Sequence, residues 1–403
     1  MQNGHRTAKR RGGSDVTDFL FDPYSREVDI DPYPLYRTLR DEYPCYWSEP
    51  GNCWVLSRYR DLFESTRNWE VFSSGRGNML DDIPERAGST LGTTDPPRHD
   101  RLRALVQYAF NKRGLDYMIE PIREIANAAI DRFVDKGEFE FVNDFSSPVT
   151  VGVLSRLIGM PPRDQQILRR HIVSILSTDP ETRRKTAESM ASFEWLKEYT
   201  LALLERHKTE DFDDLLTRLI EARIDGDKLL DREIQMTSLT LIMAGVESAS
   251  SFMTMLALNL NDHPDARDAV MADTSRIPDA IEESLRYNTT AQRFRRTLTR
   301  DFEMHGQQMK TGDKVLFCYG SGGRDERKHE RPDVYDIDRE NKDHMGLGGG
   351  KHFCLGAPLA KLMVEHAMAE LYRRLPDMER EPGELDWIAS TTFRSPMAVC
   401  YRF

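Results

Sequence analysis

Of the five cysteines in the sequence, Cys45, Cys53, Cys318, Cys354 and Cys400, one sits in a segment built for sulfur chemistry. Cys354 belongs to Gly346-Leu-Gly-Gly-Gly-Lys-His-Phe-Cys-Leu-Gly356 and directly precedes a helical pattern that begins near Ala357. Glycines let a backbone turn tightly and approach a flat ligand closely. A cysteine at a helix N-terminus feels the positive end of the dipole and nearby N–H groups, and both favour thiolate over thiol. The plain alternative is an inert buried thiol. A cysteine nucleophile would need a third residue to orient His352, and none is evident. A phosphate-binding loop would need Gly and Ser or Thr where Met345 and His352 stand. The cysteine count is odd, the spacings are irregular and no C-x-x-C pair occurs. These features argue against a disulfide framework, structural zinc and iron–sulfur clusters, and they fit a reducing, cytoplasmic setting.

Three further groups stand out. Glu283 and Arg286 are three residues apart, on one helix face, as an ion pair would be. His99 and Arg103 share a face at i and i+4 and together suit one anionic group. Ala244-Gly-Val-Glu-Ser-Ala249 places a carboxylate, Glu247, and a hydroxyl, Ser248, inside an apolar helical stretch. Polar groups there either bind water and loosen the helix or serve a helix–helix contact.

These residues must be positioned by a mostly helical frame. Helical spacing covers Arg98 to Ala109, Ile119 to Lys136, Ala187 to Arg206, Asp231 to Asn261 and Ala357 to Leu375. The stretch from Asp231 is apolar on several sides, as befits a helix in the middle of a large protein. Strands are short: Cys53 to Ser57, Glu303 to Met304, Gln308 to Met309, Lys314 to Phe317 and a final hairpin near Ala389 to Arg402, with His305-Gly306 as a turn. Residues 321–350 lose periodicity, which inside a compact protein marks a functional segment. The 403 residues carry a net charge of −11, so nucleic acid is an unsuitable partner. No run approaches the ~18 apolar residues of a membrane span. The expectation is one large domain, mainly α with small β-sheets, over residues 17–403, preceded by a disordered basic tail at 1–16.

The cysteine loop resembles the haem-binding signature of the cytochrome P450 family, F-G-x-G-x-[HR]-x-C-x-G, with Gly348, Gly350, His352, Cys354 and Gly356 in register and Leu347 in place of the usual Phe. Ala357-Pro-Leu-Ala-Lys361 is similar to the helix that follows it. Glu283 and Arg286 resemble the family's E-x-x-R pair, and Arg339, in Pro332 to Arg339, the arginine that completes it as a structural triad. His99 and Arg103, with Arg296 and His352, match the groups that bind the haem propionates. Ala244 to Ala249 resembles the oxygen-binding motif, with Ser248 for the usual Thr and Ala249 for a second hydroxyl.

The resemblance implies haem b held through Cys354, which is also the metal ligand, with Ala244, Leu347 and Gly348 against the cofactor. A thiolate on haem iron favours O–O cleavage, so the implied reaction is O2-dependent monooxygenation of a small to medium organic substrate. Glu247 and Ser248 are the implied catalytic proton-relay pair. Asn78, Met79, Thr240, Met243, Ala291 and Phe393 should line the substrate pocket. Arg293 and Arg295 are expected to be solvated; pointing inward, they would favour an acidic substrate. Electrons should come from a separate ferredoxin or flavodoxin with its NAD(P)H-dependent reductase, docking on Lys112, Arg113, Lys351 and Lys361, and the protein should be a monomer. A haem-thiolate sensor without turnover and a peroxide-driven oxidase are the alternatives; both fit poorly with a retained Glu247-Ser248 pair.

Overall fold

The computed structural model describes residues 19–111, 114–179, 181–182, 184–340 and 342–403, so the basic tail, Lys112 and Arg113 lie outside the described residues. The architecture is helical with small sheets, as the periodicity predicts. The helices Arg98–Asn111, Ala187–Thr209, Asp231–Asp262 and Ala357–Arg374 match their expected spans within three residues. The helix from Ile119 stops at Ile130, and residues 131–136 form turns that close at Gly137, whose φ of 74° a helix cannot continue through.

The central helix Asp231–Asp262 runs unbroken for 32 residues, so Gly245 and Ser248 do not interrupt it. Its neighbours are Ser147–Ile158, Gln165–Leu176, Ala187–Thr209 and the cysteine-side helix Ala357–Arg374. Among the described residues it alone is long and apolar enough to cross a membrane, but 78% of its apolar window is buried inside the protein. A long apolar helix covered by protein over most of its surface is a core helix. Leu239, Ile242, Val246, Met253 and Leu256 anchor it in the main hydrophobic core.

A five-stranded sheet flanks this bundle, in the order Cys45–Ser48, Cys53–Leu56, Lys314–Cys318, Arg293–Leu298, Phe72–Ser73. Phe302–Met304 and Gln307–Met309 form the expected hairpin, with positive φ at both His305 (51°) and Gly306 (74°), the geometry two-residue hairpin turns favour. The C-terminal segment departs from expectation. Cys400–Arg402 pairs with Glu138–Glu140 and Glu379–Arg380 rather than with its own preceding residues, and Phe393 bridges to Ala291. The expected hairpin does form, displaced toward its N-terminal side: Trp387 bridges to Pro396, Ile388 N–H donates to Ser395 O at 3.0 Å and Met397 N–H to Asp386 O at 2.7 Å.

Candidate haem site

The cysteine loop is shaped by its glycines. Gly348 and Gly350 have φ of 72° and 61°, and a Cβ on Gly350 would collide with the Thr66 carbonyl. The loop closes on itself through Gly348 N–H to Met345 O at 2.8 Å and Cys354 N–H to Leu347 O at 3.0 Å. Leu347 packs against the main core. The helix Ala357–Arg374 starts two residues beyond Gly356's neighbour Leu355, with Pro358 in its first turn, where the missing N–H is no loss. The N–H groups of Gly356 and Ala357 point at the sulfur. Burial nevertheless dominates and pushes the Cys354 thiol above its ordinary range, against the pull of Gly356 N–H, Arg103, Ala357 N–H and Lys361. The loop and dipole therefore do not ionise this sulfur unaided, as the sequence suggested; a cation held by the sulfur would favour the thiolate.

Four nitrogenous side chains converge beside it. His99 and Arg103 come from the first turns of Arg98–Asn111, His352 from the cysteine loop and Arg296 from the strand Arg293–Leu298. The His99 and His352 rings meet edge to face at 4.6 Å. Arg296 donates to Arg295 O at 2.8 Å and reaches Tyr319 Oη at 3.4 Å, while Arg103 donates to Lys351 O at 3.1 Å and Phe353 O at 2.9 Å. Burial, then Arg296, His99 and Arg103, hold the His352 imidazole neutral, with a pKa of about 2. The Nε2 atoms of both histidines are buried without a hydrogen-bond partner. Unpaired buried nitrogens and like-charged neighbours are costly unless an anion joins them. Two carboxylates on one rigid ligand fit that requirement, since they supply acceptors and reverse the repulsion.

Behind the loop, Glu283 and Arg286 form a two-pronged ion pair, Nε–Oε2 and Nη2–Oε1 both at 2.7 Å, nearly sealed from solvent. Arg339 Nε lies 3.4 Å from Glu283 Oε2. Arg286 also donates to the carbonyls of Gly323, Pro332 and Val334, and Arg339 to those of Glu330, Arg331 and Val334. The aperiodic segment is thereby fastened, residue by residue, to the helix Ile277–Tyr287.

On the central helix, Ala244 is exposed and Ser248 half-exposed although their neighbours Met243, Val246 and Ala249 are buried. The helix thus presents one open stripe into the interior. Ser248 donates its hydroxyl to Ala244 O one turn back. Glu247 is buried, and burial raises its carboxyl pKa against the influence of Arg169 and Ser251.

The cytochrome P450 family model matches residues 165–376, more than half of the chain. The chain belongs to the cytochrome P450 family. Among curated relatives, putative cytochrome P450 123 of Mycobacterium tuberculosis is 31% identical over 94% of this chain and 95% of its own. A methyl-branched lipid omega-hydroxylase of the same organism is 33% identical over 92% of this chain and 88% of its own. Among solved structures, CYP109E1 from Bacillus megaterium in complex with testosterone superposes with a TM-score of 0.82 at 29% identity, covering 92% of this chain and 99% of that one. As a cytochrome P450, the protein is a haem-thiolate monooxygenase that carries haem b and requires O2, an organic substrate and a redox partner.

Some expectations for this P450 need correction. Arg293 and Arg295 are buried, not solvated. Arg293 donates to Thr391 O at 2.9 Å and Ser390 O at 3.1 Å, and Arg295 donates to Arg76 O. Lys351 and Lys361 are not an open basic patch: Lys351 pairs with Asp100 at 2.7 Å and Lys361 with Glu282 at 2.5 Å. Phe353, by contrast, is exposed next to the cysteine. Of the expected pocket residues, Ala291 and Phe393 are bridged to each other, Phe393 meets Phe294 edge to face, and Met79 and Met243 are buried in the main core. Asn78 accepts from the Arg86 guanidinium at 3.3 Å, and Thr240 is back-bonded to Met236 O at 2.7 Å. Sequence reasoning missed Tyr319, Ser251 and Ser395, because single hydroxyls outside any motif give no signal until the fold brings them to their partners.

Proposed function

We propose that Cys354 would hold haem b through its thiolate in this P450 and that His99, Arg103, Arg296 and His352 would hold its propionates. The observation that carries this is the convergence of the four nitrogenous groups, two of them with unpartnered buried nitrogens, beside a sulfur faced by two backbone N–H groups. Ala244 on the central helix and Leu347 and Gly348 in the loop lie against the two faces of the cofactor. The bound haem supplies the activation of O2. The chain's own part is to fix that group, exclude water and deliver protons. Glu247 and Ser248 are the catalytic pair: a buried carboxyl whose proton affinity is raised by desolvation, next to a hydroxyl that opens to the cavity. Glu283, Arg286 and Arg339 hold the segment that supports the cysteine loop.

Residues 17–403 form the haem domain of a cytoplasmic monomer, reduced by a separate ferredoxin or flavodoxin that docks on the cysteine side. Paired lysines and an exposed Phe353 give that face an apolar centre with balanced charge around it. The substrate is an apolar organic molecule of medium size. Support comes from the exposed Ala244 of the central helix, from the engagement of Arg293 and Arg295 with backbone carbonyls, and from the testosterone and methyl-branched lipid of the relatives. Reduced, CO-bound absorption spectra test the core of the reading. Wild-type protein should show the long-wavelength Soret band of thiolate ligation and Cys354→Ser should lose it; a band retained by the variant rejects Cys354. Spin-state titrations with steroids and branched fatty acids then test the substrate class.

A further inference from the structure

The open stripe of the central helix ends in a buried hydroxyl pair that the mechanism above leaves unused. Ser251, one turn beyond Glu247, has its Oγ 3.3 Å from Glu247 Oε1 and 2.7 Å from the Oγ of Ser395. Ser395 comes from 144 residues later, in the C-terminal segment, and its Oγ lies 3.4 Å from Pro396 O. Both serines are 1% exposed. The backbone around Ser395 is clamped on each side. Arg394 N–H donates to Thr290 O at 2.9 Å, the Thr290 hydroxyl returns to Arg394 O at 2.9 Å, and Pro396 bridges to Trp387.

The neighbouring hydroxyls of the same helix are committed elsewhere. Ser250 and Thr254 meet Ser146 at 2.8 and 3.2 Å on the opposite side. Glu247 thus has one hydrogen-bond partner among the described residues, Ser251. The charged group facing it is Arg169 of Gln165–Leu176, whose Nη1 is bonded to Asn143 and whose Nε has no hydrogen-bond partner.

Each serine hydroxyl has one proton, so the chain Glu247–Ser251–Ser395–Pro396 O has two self-consistent polarities. With Glu247 ionised, Ser395 donates to Ser251 and Ser251 donates to the carboxylate. With Glu247 protonated, the acid donates to Ser251, Ser251 donates to Ser395, and Ser395 turns to the Pro396 carbonyl. Glu247 and both hydroxyls keep a partner in both states, and the Pro396 carbonyl alone gives up its donor when Glu247 is ionised. A lone buried carboxyl would instead lose a partner each time its proton left or returned. The chain ends at a buried carbonyl, so it stores orientation and gives no path to bulk water.

We propose that Ser251 and Ser395 are positioning residues for proton delivery, a reversible two-hydroxyl support that lets Glu247 give up and regain its proton without losing its hydrogen bonds. The proposal rests on Glu247 being the acid, and it predicts opposite effects for the two serines. Ser251→Ala removes the donor to the carboxylate, and a bond to an ionised acceptor is roughly twice as strong as one between neutral groups. The proton affinity of Glu247 should therefore rise. Ser395→Ala leaves that donor in place but takes away the acceptor needed when Glu247 is protonated, so the affinity should fall.

The test is infrared difference titration of the carboxyl C=O stretch in the haem-loaded, CO-bound protein, with Glu247→Gln identifying the band. Ser251→Ala should move the midpoint up by about one pH unit and Ser395→Ala should move it down by a smaller amount. Ser251→Thr, which retains the hydroxyl, should restore the wild-type midpoint. No movement in either variant, or movement of both in one direction, overturns the proposal. If Ser251→Ala fails to bind haem, Ser395→Ala, which lies outside the helix, carries the test through its sign. The underlying reading is tested separately: NADH consumed without product formation should increase in Glu247→Gln. Normal coupling in that variant, with the infrared shifts as expected, removes Glu247 as the acid and leaves the hydroxyl support standing.

Discussion

Removing the Glu283 carboxylate should destabilise the protein more than removing the whole ion pair. In Glu283→Ala, Arg286 keeps its three carbonyl acceptors but loses both 2.7 Å bonds to an anion while remaining fully buried. Breaking one side of a buried pair typically costs ~3–5 kcal/mol, because the surviving charge has no compensation. Asp336 N–H, which donates to Glu283 Oε1 at 2.8 Å, is orphaned at a further ~1–3 kcal/mol. The sum, about 4–8 kcal/mol, is a large share of the ~5–15 kcal/mol that holds a typical protein folded. In Glu283→Met/Arg286→Leu the fully buried guanidinium goes with its partner, and the charge that remains, Arg339, keeps three carbonyl acceptors, so the double variant should lose less than either single one. Urea unfolding of haem-loaded protein, followed at the Soret band and by far-UV circular dichroism, measures both. Because Arg286 fastens Gly323, Pro332 and Val334, haem should leave the single variants at lower urea than the helices melt. A Glu283→Ala cost below about 1 kcal/mol, or a double variant as unstable as the two singles added, refutes the argument from uncompensated charge.

Three other outcomes follow from the same structure. Gly350→Ala forces a side chain into a left-handed position against the Thr66 backbone, so it should cost at least ~1–2 kcal/mol and lower haem occupancy; Gly356→Ala, with nothing near its Cβ and an ordinary φ of −82°, should do neither, as haem content per mole of protein will show. His329 is buried with both ring nitrogens unpartnered, and burial, with help from Arg286, Arg339 and Lys328, depresses its pKa to about 3. The unfolded chain therefore binds a proton below about pH 6.5 that the folded protein refuses. Stability should be intact above pH 6.5 and fall toward pH 3, with a slope approaching ~1.4 kcal/mol per pH unit from this group, and His329→Gln should flatten that slope in pH-dependent urea titrations. Arg293→Ala should lower the melting temperature yet leave the affinity ranking of carboxylate and neutral ligands unchanged in spin-state titrations; a changed ranking would mean that Arg293 reaches the substrate.

The haem side of this protein was legible in its sequence because each of its devices is local. A glycine loop with Cys354, a helical pair at Glu283 and Arg286 and a pair at His99 and Arg103 each occupy a few adjacent residues, so they could be matched to the family's signatures, and that resemblance supplied their haem roles. The central helix was legible from its apolar breadth, as were four more helices from their period. What stayed hidden was built across long sequence separations. Ser395 meets Ser251, Phe393 bridges to Ala291, and Cys400–Arg402 takes strand partners on both sides, none of which has a local pattern. Burial of the sulfur likewise outweighed the dipole and N–H groups, which are the part of its environment that a sequence displays.

The arginines of the strand Arg293–Leu298 show how little separates a cofactor ligand from a structural fastener. Side chains alternate across a strand, and the register pairs Arg293 with Cys318, Arg295 with Leu316 and Arg296 with Val315. Arg296 therefore shares a face with Phe294, toward Tyr319 and the imidazoles, and Arg293 and Arg295 share the other. On that second face Arg293 lies among Asp29, Tyr36 and Cys318, and its bonds run to the carbonyls of Ser390 and Thr391. A slip of one residue would exchange the two sets, sending two guanidiniums toward Tyr319 and the imidazoles and one toward Asp29 and Tyr36. The polar run from Thr289 to Arg295 is thus explained without a polar substrate. Thr290 binds Arg394 O, Gln292 binds Thr289 O and Tyr33, and Arg293 ties down the segment that carries Ser390 to Thr392. Those bonds fix the same C-terminal segment that brings Phe393 to the pocket and Ser395 to Ser251. The unusual polarity of this stretch therefore serves to hold that segment in place, and no charged substrate is needed to account for it.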